Sequence, residues 1–288
     1  MPVIGGLVFL LLCVFGSYVA SGGSIVPLMK ALPFELVTIG GAAAGTFVMA
    51  NTMHEIRHTL ACLKKLMKGG AYGKADYIDL LCLLFYFARL ANTKGAMALE
   101  PHIERPTESA AFRKFPKILG NDHARPMICD YLRMVGMNAD DPHQIEDVMG
   151  RELRKMLYEE LHPAHALQTV ADALPALGIV AAVLGVVKTM AHIDQPPAIL
   201  GEMIGGALVG TFLGVLLAYG VVGPCASRMK NVVEEESKYF EVIRAVLVTH
   251  LHGNAPQVSV ETGRKMAPGQ VMPSFFELEE AIQKLQIA

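Results

Sequence analysis

Charge is what this sequence has little of. Asp, Glu, Lys and Arg make up only 18% of its 288 residues, where a soluble domain holds nearer a quarter. The net charge of −2 leaves no basic excess to attract nucleic acid. Paired cysteines are missing too. Cys13, Cys62, Cys82, Cys129 and Cys225 are odd in number and none forms a CxxC, which argues against a disulfide framework and for a reducing or lipid environment. No Lys or Arg precedes Lys30, so the first apolar run lacks the basic leader of a signal peptide and is not expected to be cleaved. Alternating strand patterns are weak throughout, which favours an all-α chain.

What the sequence does have is apolar runs. Its composition is 52% hydrophobic and its mean hydropathy is +0.39. Four runs stand out, at 3–20, 34–51, 174–191 and 204–222. Each approaches or matches the ~20 residues that cross about 30 Å of hydrocarbon as a helix. Continuous runs of this kind satisfy their backbone in lipid only as helices. A fifth run, Leu80–Ala88, is bounded by Asp79 and Arg89. It is too short to span and reads as a buried helix outside the membrane.

All Lys and Arg except Lys30 and Lys188 fall within residues 53–170 and 225–288. With four spans both segments lie on one side, and the positive-inside bias makes that side cytoplasmic. The connections 21–33 and 192–200 read as turns on the far side. The expected organisation is therefore spans one and two at 1–52, a cytoplasmic helical domain at 53–172, spans three and four at 173–223, and a cytoplasmic helical tail at 224–288. Within the polar parts, helices are expected at 77–93, 122–135, 142–161, 226–252 and 274–286. Pro142 suits a first turn, and Ser274 stands three residues before Glu277 as in a capping box.

The spans carry two further signals. Gly206, Gly210 and Gly214 form one small-residue stripe, suited to close helix packing, either within the chain or against another subunit. Pro175 and Pro224 stand at the inner ends of spans three and four, where proline bends a helix. No Asp or Glu falls in the middle of an apolar run: Glu35, Asp172 and Glu202 sit at ends. Buried ionisable groups mark proton relays. If this chain conducts protons, the titrating group is expected from a partner.

One motif points elsewhere. His54-Glu55-Ile56-Arg57-His58 matches HExxH, which on a helix presents two histidines to zinc with the glutamate as general base. A membrane metalloprotease is therefore an alternative, although no third ligand has a distinctive spacing. The simpler reading is the start of an interfacial helix. A structural membrane protein without ion flow is another.

The strings Leu174-Pro-Ala-Leu-Gly-Ile-Val-Ala-Ala-Val-Leu-Gly-Val-Val187 and Gly210-Thr-Phe-Leu-Gly-Val-Leu-Leu-Ala-Tyr-Gly220 resemble the flagellar motor stator family MotA. It belongs to the wider MotA/TolQ/ExbB proton channel family. The resemblance continues through Gly22-Gly23-Ser24, Asp79-Leu80-Leu81, Gly263-Arg264-Lys265 and Pro273-Ser274-Phe275-Phe276-Glu277-Leu278-Glu279. It implies an inner-membrane stator subunit with no catalytic activity and no cofactor other than the transported proton. It also implies a pentameric ring around a MotB-like single-span protein that supplies the membrane aspartate. Pro175 and Pro224 then match the family's coupling prolines and Thr211 a hydroxyl on the ion path. Ala182 stands where sodium-driven relatives carry threonine, which points to protons. A FliG-like rotor protein would be met through Glu100. The family's basic rotor position falls on Asn92, a departure that puts Arg89 and Lys94 forward as its replacements. An ExbB- or TolQ-like energiser is the related alternative, and it is expected to have three spans rather than four.

Overall fold

The computed structural model describes residues 2–66, 72–136 and 141–285. Those residues are helical, with no strand among them, as expected of an all-α chain. The end expected at Gln286 lies outside them. Four helices are long and apolar enough to cross a membrane. They are α1 (Pro2–Ala20), α2 (Val26–Ala50), and two much longer ones. Between the first and second pairs come α3 (Met53–Leu66), α4 (Lys74–Lys94) and α5 (Ala124–Gly136), with short helical turns between α4 and α5. The long helices are α6 (Pro142–Met190) and α7 (Pro197–Leu251). Helices α8 (Pro256–Met266) and α9 (Phe275–Gln283) follow.

The helices are longer than the apolar runs suggest. Helix α2 starts at Val26 rather than at Phe34, with Pro27 in its first turn and Pro33 inside it. The connection to α1 shrinks to a turn at Gly22, whose φ of 86° suits glycine. Helix α6 does not stop near Leu161. It runs for 49 residues through Pro163 and Pro175. Each proline removes one hydrogen bond, yet the helix-forming residues around it keep the rod continuous. Helix α7 likewise joins the fourth span to the expected helix at 226–252.

Two π turns interrupt the spans, Leu36–Gly40 in α2 and Ala218–Val222 in α7. The second ends against Gly223-Pro224, and the Gly223 N–H reaches back to the Ala218 carbonyl, five residues earlier. Pro224 cannot donate to Gly220, and the widened turn relieves the crowding its ring would cause.

By contacts the chain forms two units, grouped differently from the segments that composition suggests. Unit 1 comprises Met1–Gly69 and Glu160–Val232, and unit 2 comprises Gly70–Glu159 and Val233–Ala288. Unit 2 holds the larger core. Helix α4 buries Tyr77, Leu80, Leu81, Leu83, Leu84 and Phe87 almost completely. Against them pack Ile128 and Leu132 of α5 and Val242, Ile243 and Val246 of α7. Each such side chain contributes about 1.5–3 kcal/mol through its removal from water. The run Leu80–Ala88 is thus a core helix, as expected. Helix α8 comes close because Gly263 lacks a side chain: a Cβ there would stand 2.3 Å from Val246 Cγ2. Next to it Arg264 is buried but paired twice with Glu261, at 2.7 and 2.6 Å, and donates to the Pro273 carbonyl at 2.8 Å. The expected capping box of α9 is present. Ser274 Oγ accepts from the Glu277 N–H, and Glu277 Oε2 accepts from the Ser274 N–H.

Unit 1 packs more sparsely. Ile39 and Ala43 of α2 meet Leu174 and Ala181 of α6 and Leu213 and Ala218 of α7. A second cluster joins Cys62 and Leu66 of α3 to Ala164 and Met229. In α1, none of the 18 span residues is buried.

Candidate functional site

Helices α6 and α7 cross closely in unit 1. Small residues make this crossing. A Cβ on Gly178 would lie 2.8 Å from the Gly210 carbonyl oxygen and 3.3 Å from Thr211 Cα. On Gly214 it would lie 2.7 Å from the Leu174 carbonyl oxygen, and on Gly185 2.5 Å from Ala207 Cβ. These are backbone or methyl atoms that cannot swing aside, so the two helices touch main chain to main chain. The Gly210–Gly214 part of the stripe therefore serves packing within the chain. Gly206 stands apart from this crossing, with only Ala31 Cβ at 4.0 Å.

The crossing gathers most of the expected ion-path residues. Pro175 follows the carbonyl that faces Gly214. The Ala182 nitrogen is 3.3 Å from the Cβ position of Gly210. Thr211 lies at the same contact and is half-buried. Ser17, Thr38 and Thr46 return their hydroxyls to carbonyls of their own helices, whereas the Thr211 hydroxyl has no hydrogen-bond partner among the described residues. Pro224 is not part of this group. It lies further along α7, behind the π turn.

Sequence reasoning missed three residues here, Glu35 first among them. Because α2 begins at Val26, Glu35 lies ten residues into a 25-residue span rather than at its end. The statement that no span carries an inner carboxylate is therefore corrected. Glu35 Oε2 is buried without a hydrogen-bond partner and stands 2.8 Å from the Cβ position of Gly210. The available signal was the moderately apolar stretch from Val26. Its Lys30 pairs with Glu202 at the start of α7, at 2.7 Å, and so ceases to be an obstacle to a span. Gly178 and Gly185 also had no role assigned, although they continue a small-residue face with Ala181 and Ala182.

Within unit 2 a second group lies at the end of α4. Arg89, Asn92 and Lys94 are exposed. The chain then turns at Gly95, whose φ is 82°, and Glu100 is exposed at the start of a short helix. Arg89, Lys94 and Glu100 make no ion pairs among the described residues. Their charges are left to water or to a partner.

The HExxH motif does not assemble a zinc site. Glu55 Oε2 accepts from the Thr52 N–H at 2.7 Å, and the Glu55 N–H donates to Thr52 Oγ1 at 3.3 Å. This is a capping box. Its hydrogen bonds hold the Glu55 carboxyl below the usual carboxylate range, the opposite of what a general base near neutrality needs. Glu55 Oε1 faces His162 at 3.5 Å, and His58 faces Glu160 at 3.9 Å. These pairs tie α3 to α6. Among the described residues His54, Glu55 and His58 belong to no group with metal-ligand spacing.

Four helices apolar enough to span and a glycine-built crossing between two of them describe a helical membrane protein. Comparison with known proteins agrees. The Motility protein A N-terminal family matches residues 4–95, and the MotA/TolQ/ExbB proton channel family matches residues 120–242. Motility protein A of Escherichia coli (strain K12) is 40% identical over 286 residues, covering 99% of this chain and 96% of that protein. The chain belongs to the Motility protein A family. Its fold is similar to that in the structure of C. jejuni MotAB, with a TM-score of 0.76 at 18% identity, covering 96% of this chain and 99% of that one. It is also similar to the flagellar MotAB stator complex from Bacillus subtilis, with a TM-score of 0.71 at 24% identity, covering 90% and 92%. The four candidate spans are one more than expected of an ExbB- or TolQ-like energiser, and the N-terminal match is to Motility protein A.

Proposed function

We propose that this chain is the ring-forming stator subunit of a flagellar motor, set in the inner membrane, where it and a MotB-like single-span partner make a proton path that turns a rotor. The observation that carries this reading is the α6–α7 crossing. Main chain meets main chain there, and the backbones of Thr211 and the small Ala182 border that contact. The partner's aspartate stands beside the crossing, takes a proton from outside and releases it to the cytoplasm. That the acid comes from the partner is supported by family membership. Glu35, on the α2 side of Gly210, adds a second carboxyl to the neighbourhood.

Each proton supplies about 2.3 kcal/mol per 100 mV of membrane potential. This is too little to rebuild a core and enough to shift an element between two packings. Pro175 and the π turn before Pro224 are places near the inner ends of the spans in α6 and α7 where hydrogen bonding is already incomplete, which suits them to bend. Subunits assemble as a pentamer around the partner. The positive-inside bias puts residues 53–170 and the tail in the cytoplasm, where Arg89, Lys94 and Glu100 press on the FliG-like rotor protein.

The test is proton uptake by vesicles that hold the chain with its single-span partner. Uptake is expected with the intact pair and is expected to vanish when the partner's aspartate is changed to asparagine. Pro175→Leu should abolish swimming, and Glu100→Lys should impair swimming while uptake persists. Uptake that is indifferent to the partner's aspartate would sink the proposal.

A further inference from the structure

The HExxH motif is used up in a helix cap, yet metal-type donors do converge elsewhere. His143 and Glu146 stand three residues apart at the start of α6, on one face of that helix. His252 follows directly on Leu251, the last residue of α7. In unit 2 the donor atoms of these three side chains all lie within 4.8 Å of one another. The imidazoles of His143 and His252 meet edge to face, with centroids 5.1 Å apart. Among the described residues no other group of three His, Cys, Asp or Glu comes this close. We propose that His143, Glu146 and His252 bind a divalent transition ion of the zinc class.

Two imidazoles and one carboxylate are a donor set that zinc accepts with bonds of about 2.0–2.2 Å, leaving a position for water. The donors of such a site stand roughly 3.3–3.5 Å apart, by tetrahedral geometry on those bond lengths. Both histidines are exposed, so rotation about their side-chain bonds closes the remaining gap. Magnesium and calcium prefer all-oxygen shells and are poorly served here. The surroundings already orient the donors. Arg244 Nη2 donates to Glu146 Oε1 at 3.0 Å, which fixes the carboxylate and leaves its other oxygen to the ion. The His143 N–H donates to Asp141 Oδ1 at 2.9 Å, which secures the first turn of α6. The Arg244 charge opposes a cation, so affinity should be moderate. The ion would clip the beginning of α6 to the end of α7, a contact independent of the ion path and of the reading above.

The test uses the full chain, purified with its partner in detergent, stripped by chelation and titrated with zinc against a chromophoric chelator. The intact chain is expected to hold about one zinc ion. His143→Gln and His252→Gln should each weaken binding by about tenfold or more, and the double variant should lose it. Being exposed substitutions, they should leave helical content unchanged. His54→Ala and an excess of magnesium should have no effect. Binding that survives in the double variant, or that disappears with His54→Ala, would overturn the proposal.

Discussion

Unit 2 hides its large apolar side chains among themselves, while unit 1 leaves most of its own uncovered. Leu80, Leu83, Leu84 and Phe87 of α4 are fully enclosed; Phe9 of α1 is 69% exposed and Val37 of α2 is 75% exposed. Both units are rich in helix and in Leu, Val and Phe, so composition alone does not distinguish them. The difference is what each helix packs on. A helix in water must find protein for its apolar face. A helix in lipid needs no such cover and associates through close packing of small residues. Unit 2 therefore resembles a self-sufficient domain, and unit 1 a surface suited to lipid.

The largest test of that contrast is Gly214→Val. Its new side chain would press on the Leu174 carbonyl, an atom that cannot yield. Swimming and proton uptake should be abolished while unit 2 keeps its fold. The retained fold can be read from Cys82 and Cys129. Burial pushes the Cys82 thiol up to about 12 and the Cys129 thiol up to about 11, so neither should react with an alkylating reagent near neutral pH until unit 2 opens. Rapid labelling of both in Gly214→Val would mean that the two units do not fold separately.

The next test compares one truncation in each unit. Leu84→Ala should cost unit 2 about 2–5 kcal/mol, seen as faster labelling of Cys82 in urea. Phe9→Ala should change that rate by less than about 0.5 kcal/mol, because its ring touches little of its own chain. Equal effects would erase the distinction.

The smallest expected effect concerns acid. Lys74 and the Ser274 cap hold the Glu277 carboxyl down to about 2, from an ordinary value of 4.5. A depressed folded value means that the contribution is present above pH 4.5 and is lost as pH falls towards 2. Glu277→Gln should remove that part of the acid dependence of unit 2, measured as a flatter stability profile between pH 4.5 and 2. The pair is exposed, so the change should be slight.

How much of this was legible in the sequence varies with how local the signal is. The four spans and the buried Leu80–Ala88 helix follow from run length and flanking charge. The α9 cap follows from two residues at fixed spacing. The continuity of α6 and α7 was not legible, because proline and a change from polar to apolar residues look like boundaries. Neighbouring helix formers carried the backbone through them. Glu35 was misplaced for a related reason. Lys30 appeared to close the span, and only the three-dimensional pairing with Glu202 removes that objection. The Thr52–Glu55 cap shows the opposite failure: a five-residue motif looked chemical when its glutamate was serving the backbone. Of the candidate site, Gly210, Gly214, Ala182 and Thr211 were readable from the strings at 174–187 and 210–220, whereas Gly178 and Gly185 were not. That they meet at one crossing was not.

The π turn at Ala218–Val222 changes how α7 must be read as an object. A π turn holds one residue more than the helix around it needs. The face beyond it is therefore turned by about 100°, the angle of one residue. It also means that the helix carries slack. Passing the spare residue along the rod would rotate one stretch against the other in a fixed increment, with no bond lost at the ends, as a ruck moves through a carpet.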